Sequence, residues 1–187
     1  MTIPSIIASE MAAYEAFMAQ QLHTEVRLIN DIAAQLNQRH GKRLRPMLTL
    51  LSAGAALGHV PEQKVHLAVA MELLHNSSLI HDDVVDEASL RRGLPTVNST
   101  WGNKIAVLFG DFYLANVMNL LCRHASKEEM EIVHPTAVEM SEGELLQQQN
   151  SLGLDTSIDA YRQTIYKKTA SLMAACCQVG GGYTQFG

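Results

Sequence analysis

Residues 71–93, MELLHNSSLIHDDVVDEASLRRG, join an apolar helical segment to three aspartates and two arginines. In an α-helix, Asp82 and Asp86 project from one face one turn apart, and Asp83 is rotated from them by about 100°. Like charges at this spacing destabilise an isolated helix, so the pattern indicates a bound cation that offsets their repulsion. Carboxylates without a nearby Cys suit Mg²⁺. A solvated helix end is the alternative, and the ligand order of an EF-hand is not present.

The same helical period extends over nearly the whole chain of 187 residues, 47% of which are hydrophobic. Ser126-x-x-Glu129 is a capping-box pattern, and Thr156-x-x-Asp159 is a looser start signal. We predict six helices, at residues 5–36 (continuous or broken once), 46–58, 61–87, 97–122, 126–150 and 156–179, with a polar connection at 88–96. Short connections between long helices predict a single all-α domain, residues 1–187, built as an antiparallel helical bundle.

Composition excludes several classes of protein. The net charge of −5 argues against a nucleic-acid partner. The longest mostly apolar stretch, residues 47–60, is shorter than the roughly 20 residues that cross a bilayer, and the N-terminus lacks a basic n-region. Three cysteines predict reduced thiols rather than a disulfide scaffold. We therefore expect a cytoplasmic protein without a transmembrane segment. Helices that are apolar on most faces, such as residues 105–121, indicate a larger bundle or a dimer.

Three basic clusters accompany the aspartates. GKRLRP (residues 41–46) precedes a helix start, Arg91 and Arg92 follow the acidic helix, and YKKT (residues 166–169) lies on the sixth helix. Guanidinium and ammonium groups both bind phosphate oxygens. Any one cluster alone is compatible with a solvated surface. Together with the aspartates they indicate two anionic ligands, one reached through the metal and one by direct contact.

The sequence resembles a known family in five segments. GKRLRP, HNSSLIHDDVVDEASLRRG (residues 75–93), GDF (110–112), EGELLQ (142–147) and KKT (167–169) are similar, in order and spacing, to the all-trans isoprenyl (polyprenyl) diphosphate synthases. The likeness is to medium- and long-chain enzymes of the octaprenyl type. It implies the isoprenoid synthase fold, an antiparallel bundle around a deep central cavity, and a homodimer. It also implies Mg²⁺-dependent condensation of isopentenyl diphosphate with an allylic diphosphate, releasing pyrophosphate.

The resemblance also implies roles for individual residues. It assigns Mg²⁺ on the allylic diphosphate to Asp82 and Asp86, with Asp83 in the same cluster. It assigns the allylic diphosphate to Arg91, and the reacting carbons to Lys168. The residues implied to bind substrates are Lys42, Arg45, His75, Arg91, Arg92, Gln147, Lys168 and Thr169. Of these, Lys42, Arg45, His75 and Arg92 would bind isopentenyl diphosphate. We expect His81 and Asp111 to be packing or supporting residues.

The sequence departs from the family pattern in two places. His40 stands where the family often has a glycine. The second aspartate-rich motif, which follows KT in the family, is not present in residues 1–187. We therefore expect a chain that represents the N-terminal and central part of the domain, with its C-terminal part missing and little activity alone. The alternatives are a non-catalytic or truncated subunit of a heteromeric prenyl synthase and a class I terpene cyclase. GKRLRP and the paired arginines argue against the cyclase.

Product length is predicted from the helix that precedes the aspartates. The turns before Asp82 contain Ser77, Ser78 and Leu74, and there is no Phe, Tyr or Trp between Val60 and Asp82. Short-chain members of the family tend to have bulky aromatic residues there, so we expect an open floor and a long product. Small residues that merely allow close helix packing are the alternative.

Overall fold

The computed structural model describes residues 4–37, 41–153 and 157–182. Within these ranges the α-helices are α1 Ala8–Gln21, α2 Arg27–Asn37, α3 Leu44–Leu57, α4 Glu62–Val85, α5 Val97–Trp101, α6 Asn103–His124, α7 Lys127–Ser151, α8 Ile158–Ile165 and α9 Ser171–Gly181. A π-helical turn, Tyr166–Ala170, joins α8 to α9. A small antiparallel hairpin, β1 Leu90–Arg91 and β2 Leu94–Pro95, follows α4. The all-α prediction is confirmed.

The core is organised around α4, whose segment from Leu67 to Leu73 is buried throughout. This helix packs against α1, α3, α6 and α9, and α3 in turn packs against α9. Two glycines allow the closest approaches. A Cβ at Gly110 would lie 2.3 Å from His81 Nε2, and one at Gly180 would lie 2.1 Å from the Thr49 carbonyl oxygen. Alanine at Gly180 would therefore force α9 away from the α3 backbone, whereas alanine at Gly110 would require the His81 side chain to move.

Several predicted helices are divided in the structure. The predicted helix 5–36 breaks between α1 and α2, where the Asn30 side chain bonds the backbone N–H and carbonyl of Thr24. The predicted helix 97–122 breaks at Gly102, whose φ is +83°. The sixth helix begins at Ile158 with Ser157 as its cap, because the Ser157 hydroxyl accepts from the Ala160 N–H. Thr156 lies outside the described residues.

A buried ion pair joins three helices. Lys64 Nζ of α4 lies 2.5 Å from Glu129 Oε1 of α7 and donates to the Val179 carbonyl of α9 at 2.6 Å. The predicted capping box is confirmed, since Glu129 also accepts from the Ser126 backbone N–H while the Ser126 hydroxyl caps the helix. Glu129 therefore both starts α7 and ties it to the core. Nothing in the local pattern around Lys64 predicted its partner.

Helix α6 is the one helix in the described residues that is long and apolar enough to cross a membrane by length and composition. The prediction that residues 47–60 are the longest apolar stretch is therefore wrong. In this structure α6 instead packs along α4 and α5, and 39% of its most apolar window is buried. A core helix of a helical bundle has the same composition.

Candidate active site

The basic residues predicted to bind an anion converge on one cavity of about 500 Å³. Its walls come from α1, α2, α3, α4, α6 and the hairpin. Five cationic side chains line it, against two acidic ones: Lys42, Arg43, Arg45, Arg91 and Arg92 against Glu72 and Asp83. His75 lines it as well. The structure therefore brings together all four residues expected at the isopentenyl diphosphate site, in a cavity with an excess of positive charge.

Local backbone geometry places these cations. Arg92 and Gly93 form the two-residue loop of the hairpin, and both have positive φ, at +54° and +79°. This is the pattern of a type I′ turn, whose twist matches that of the paired strands. Arg92 consequently lies at the tip of the hairpin, and Arg91 lies in β1 beside the end of α4. The polar composition of residues 88–96 predicts only a connection, and the hairpin is a finding of the structure.

Two groups in the cavity are set to receive an anion. Burial and the nearby Arg45, Arg92 and Arg91 lower the pKa of His75 to about 3, so its imidazole is neutral at pH 7. Burial also lowers the pKa of Arg45, against the opposing effect of Glu72. Arg45 Nε is buried and has no hydrogen-bond partner among the described residues. A bound phosphate oxygen would satisfy that donor and offset the mutual repulsion of the cations.

Asp82 and Asp86 lie on a different face of α4. Burial and the Glu144 carboxylate raise the pKa of Asp82 to about 6, Asp86 contributes in the same direction, and Lys168 opposes them. Asp86 is exposed. The described residues contain no group of three His, Cys, Asp or Glu side chains arranged for a metal ion. Two carboxylates that repel each other nevertheless fit Mg²⁺, which is typically held by one or two carboxylates plus substrate phosphate oxygens.

The structure does not bring Asp83 together with the other two aspartates. Asp83 is 2% exposed, and its Oδ1 lies 2.7 Å from Arg91 Nε. The Asp83 backbone carbonyl accepts from the Asn98 side chain at 3.0 Å. This carboxylate therefore orients Arg91 in the basic cavity, as the rotation of about 100° from Asp82 requires.

A third group of predicted residues meets at the π-helical turn. Lys168 Nζ donates to Glu144 Oε2 at 2.7 Å and to Gln147 Oε1 at 2.9 Å. Gln147, Lys168 and Thr169 line a second cavity of about 460 Å³. Turns of π-helix occur frequently at functional sites. The EGELLQ motif gives Glu144 no role by itself, and sequence reasoning missed both its bond to Lys168 and its effect on the pKa of Asp82.

The residues predicted to form the floor follow the inner side of α4. Ser78 and Leu74 lie four and eight residues before Asp82, so the three share a face. Ser78 is half-buried and its hydroxyl donates to the His75 carbonyl at 2.8 Å. Leu74 is buried. Ser77 is buried against α6, where its hydroxyl donates to the Gly110 carbonyl at 2.9 Å.

His81 and Asp111 also lie at the contact between α4 and α6. His81 Nε2 is 3.4 Å from Asp111 Oδ1 and 3.3 Å from the Val107 carbonyl oxygen. These contacts join α4 to α6, but the Asp111 side chain is exposed, so a packing or supporting role for the two residues stays a prediction.

The chain is similar to known proteins over nearly its whole length. A family model described as polyprenyl synthetase matches residues 26–186. The chain is 35% identical to heptaprenyl diphosphate synthase component 2 of Geobacillus stearothermophilus, over 94% of this chain and 55% of that protein. It is 36% identical to octaprenyl diphosphate synthase of Escherichia coli (strain K12), over 96% of this chain and 55% of that protein.

A solved structure is similar over the same region. The polyprenyl synthase from Caulobacter crescentus CB15 complexed with calcium and isoprenyl diphosphate matches with a TM-score of 0.87 and 33% identity, over 97% of this chain and 57% of that one. The chain thus spans about half the length of the curated relatives that it matches.

Proposed function

The chain belongs to the polyprenyl synthetase family, and from that premise we propose that the whole protein is a trans-polyprenyl diphosphate synthase. It condenses isopentenyl diphosphate with an allylic prenyl diphosphate and releases a longer all-trans polyprenyl diphosphate and pyrophosphate. The single observation that carries this proposal is the division of charge across α4. Asp82 and Asp86 present carboxylates on one face, while Asp83 and Arg91 face a cavity lined by five cations.

The division provides for two diphosphates of different kinds. The cavity can bind one directly through Lys42, Arg45 and Arg92. Asp82 and Asp86 would hold Mg²⁺, which supplies positive charge to the second diphosphate as it becomes a leaving group. A divalent cation is consistent with the calcium in the solved relative. A terpene cyclase needs only the metal-bound diphosphate, so the basic cavity favours elongation.

The reaction starts when the carbon–oxygen bond of the allylic diphosphate breaks. The electron pair leaves with pyrophosphate, and the double bond of isopentenyl diphosphate attacks the allylic cation. A proton then leaves the new carbon chain, and we assign its acceptance to the departing pyrophosphate. We assign to Lys168 the stabilisation of the charge that develops on the leaving group. This role is supported by its lowering effect on the pKa of Asp82 and would cost its bonds to Glu144 and Gln147. We assign to His75, which is neutral in the absence of a bound anion, a role in orienting the second substrate.

We propose a homodimer on the basis of an exposed apolar face of α6. Val107, Leu114 and Met118 repeat at intervals of seven and four residues, and Met118 is 63% exposed. Such a face on a helix is typical of a partner contact. We assign this face to a second copy of this chain, and a heteromeric partner is the alternative because one relative is named as component 2. We further propose a cytoplasmic location.

The proposed activity is tested by the need for both substrates. The protein expressed from its whole reading frame is incubated with farnesyl diphosphate and Mg²⁺, with and without labelled isopentenyl diphosphate. We expect labelled polyprenyl products in the presence of isopentenyl diphosphate and no hydrocarbon in its absence. Hydrocarbon formed from the allylic substrate alone would favour a cyclase, and inactivity that a second protein relieves would favour the heteromeric alternative.

We expect the product to be hexaprenyl or longer, because no Phe, Tyr or Trp side chain lies between Val60 and Asp82 to close the floor. One helical turn of about 5.4 Å is comparable to the reach of one isoprene unit. Ser77→Phe is expected to close the open floor, but its ring would also push against the Gly110 carbonyl of α6. Ser78→Phe is the cleaner variant, since Ser78 is half-buried on the face of Asp82. It should shorten the product to farnesyl or geranylgeranyl length.

Chromatography of the extracted alcohols measures that shift. Ser141→Phe is the matched control, because Ser141 is exposed on α7 and its hydroxyl bonds its own helix in the same way. Equal chain lengths in Ser78→Phe and the unmodified enzyme would contradict the open-floor interpretation.

Both hairpin arginines line the basic cavity. Arg91 lies in β1, nearer the end of α4 that carries Asp82 and Asp86, so we expect the two arginines to serve different substrates. Arg92→Ala should raise the KM for isopentenyl diphosphate, and Arg91→Ala should raise that for the allylic substrate. A charge-assisted hydrogen bond contributes about 1.5–3 kcal/mol, or roughly ten- to a hundredfold in affinity. Steady-state kinetics with each substrate varied in turn measures both shifts. If both variants raise the two KM values equally, the division of labour is wrong.

A further inference from the structure

The basic motif contains a third cation whose side chain is held by carboxylates. Arg43 Nε donates to Glu15 Oε1 at 2.9 Å, and one terminal nitrogen donates to Glu15 Oε2 at 3.4 Å. The other terminal nitrogen lies 3.6 Å from Glu72 Oε1. Glu15 belongs to α1 and Glu72 to α4, so Arg43 joins both helices to the start of α3. This fork on a carboxylate is the geometry in which Arg differs most from Lys.

The backbone at Arg43 is also unusual. Its φ is +51°, in the left-handed region that a residue other than glycine rarely adopts without local support. Lys42 and Arg45 lie on either side of this bend, and the direction of the chain there decides where their side chains point. The hydrogen bonds to Glu15 and the ion pair with Glu72 hold the side chain of a residue in this rare conformation.

The Gly41 backbone, in the same segment, is closely packed as well. A Cβ at Gly41 would lie 2.9 Å from a terminal nitrogen of Arg92, so the arginine of the hairpin rests against the Gly41 backbone. A terminal nitrogen of Arg43 lies 3.9 Å from the same Cβ position, so both guanidinium groups lie beside Gly41. The Arg43 group is in turn held by Glu15 and Glu72. A shift of Arg43 would displace Lys42, Arg45 and Arg92 relative to one another.

Arg43 differs from its neighbours in the charge that it can offer a ligand. Two carboxylates already surround its guanidinium, whereas Arg45 Nε has no partner among the described residues. Glu72 is buried at 6% exposure, and Arg43 is the cation that an ion pair joins to it. These contacts suit a residue that holds the site in shape better than one that binds the anion itself.

We propose that Arg43 is a positioning residue for the isopentenyl diphosphate site, clamped by Glu15 of α1 and Glu72 of α4. The proposal rests on the proposed function for the identity of the ligand. It gives α1, all of which precedes the matched region 26–186, a part in substrate affinity. Glu15 contacts no substrate and acts through Arg43.

The test compares Glu15→Gln and Arg43→Lys with Glu10→Gln in the whole protein. Glu10 lies on the same helix, loses the same charge and is bonded to Ser9 instead. We expect the KM for isopentenyl diphosphate to rise about three- to tenfold in Glu15→Gln and about tenfold or more in Arg43→Lys. The KM for the allylic substrate, kcat and the Glu10→Gln variant should stay within about twofold.

Two results would overturn the proposal. An unchanged KM for isopentenyl diphosphate in Glu15→Gln, with only a lower melting temperature, would make the clamp purely structural. A lower KM for isopentenyl diphosphate in Glu15→Gln would show that Arg43, once released from Glu15, binds the anion directly. Calorimetry with inorganic pyrophosphate in EDTA repeats the comparison without turnover. If the unmodified protein does not elongate but the variants still bind pyrophosphate more weakly, the proposed function fails and the clamp stands.

Discussion

In the Asp82→Ala variant we expect magnesium-dependent turnover to fall by about a hundred- to a thousandfold or more, while the protein stays folded. Asp82 is half-buried beside Glu144 and Asp86, and burial together with these carboxylates raises its pKa to about 6. Removing a carboxylate that is repelled in this way should not lower stability. Turnover should therefore fall because the charge on the leaving diphosphate is stabilised less, and not because the protein unfolds.

Turnover at saturating Mg²⁺ and the melting temperature measure the two parts of this prediction. Asp31→Ala is a suitable control, since Asp31 is a helical aspartate half-exposed in an ion pair with Arg27 on α2. Near-normal turnover in Asp82→Ala would refute the assignment of the aspartates to the metal.

Lys64→Met is expected to lower the free energy of unfolding by about 3–5 kcal/mol. Lys64 and Glu129 are each 7% exposed at their side chains, so the variant leaves a carboxylate buried without its cation. The Val179 carbonyl loses its donor at the same time. Urea denaturation measures the change.

The matched control is Lys127→Met, because Lys127 pairs with Glu131 on the surface of α7 at 84% and 58% exposure. That change should stay within about 0.5 kcal/mol. Adding Glu129→Gln to Lys64→Met should recover part of the loss, since the amide oxygen can still accept from the Ser126 N–H and carries no charge. A loss below about 1 kcal/mol in Lys64→Met would contradict a buried pair.

Sequence alone predicts the elements of this fold wherever the signal is local. The capping box at Ser126 is where the pattern placed it, and Gly58 ends α3 in the left-handed conformation, with φ +76°. The breaks were harder to predict. Asn30 interrupts a continuous helical pattern through a side-chain bond to Thr24, and Gly102 does so through a φ that a helical pattern does not reveal.

The candidate site shows the same limit at longer range. The motifs predicted which basic residues would share a cavity, and the structure brings Lys42, Arg45, His75 and Arg92 together. It could not be predicted that Asp83 turns to Arg91 or that Arg43 reaches Glu15. Pairs of this kind depend on how helices distant in the chain are packed. The periodicity of charged residues along the sequence does not reveal that packing.

The most direct test of the central claim is the metal dependence of the two diphosphate sites. Calorimetric titration of isopentenyl diphosphate and of a non-hydrolysable farnesyl diphosphate analogue is done in EDTA and in Mg²⁺. Direct contact through the basic cavity predicts that the Kd of isopentenyl diphosphate changes by less than about threefold. Binding through Asp82 and Asp86 predicts that the analogue is weakened about tenfold or more in EDTA. Equal dependence of both ligands on Mg²⁺ would contradict two sites divided by α4.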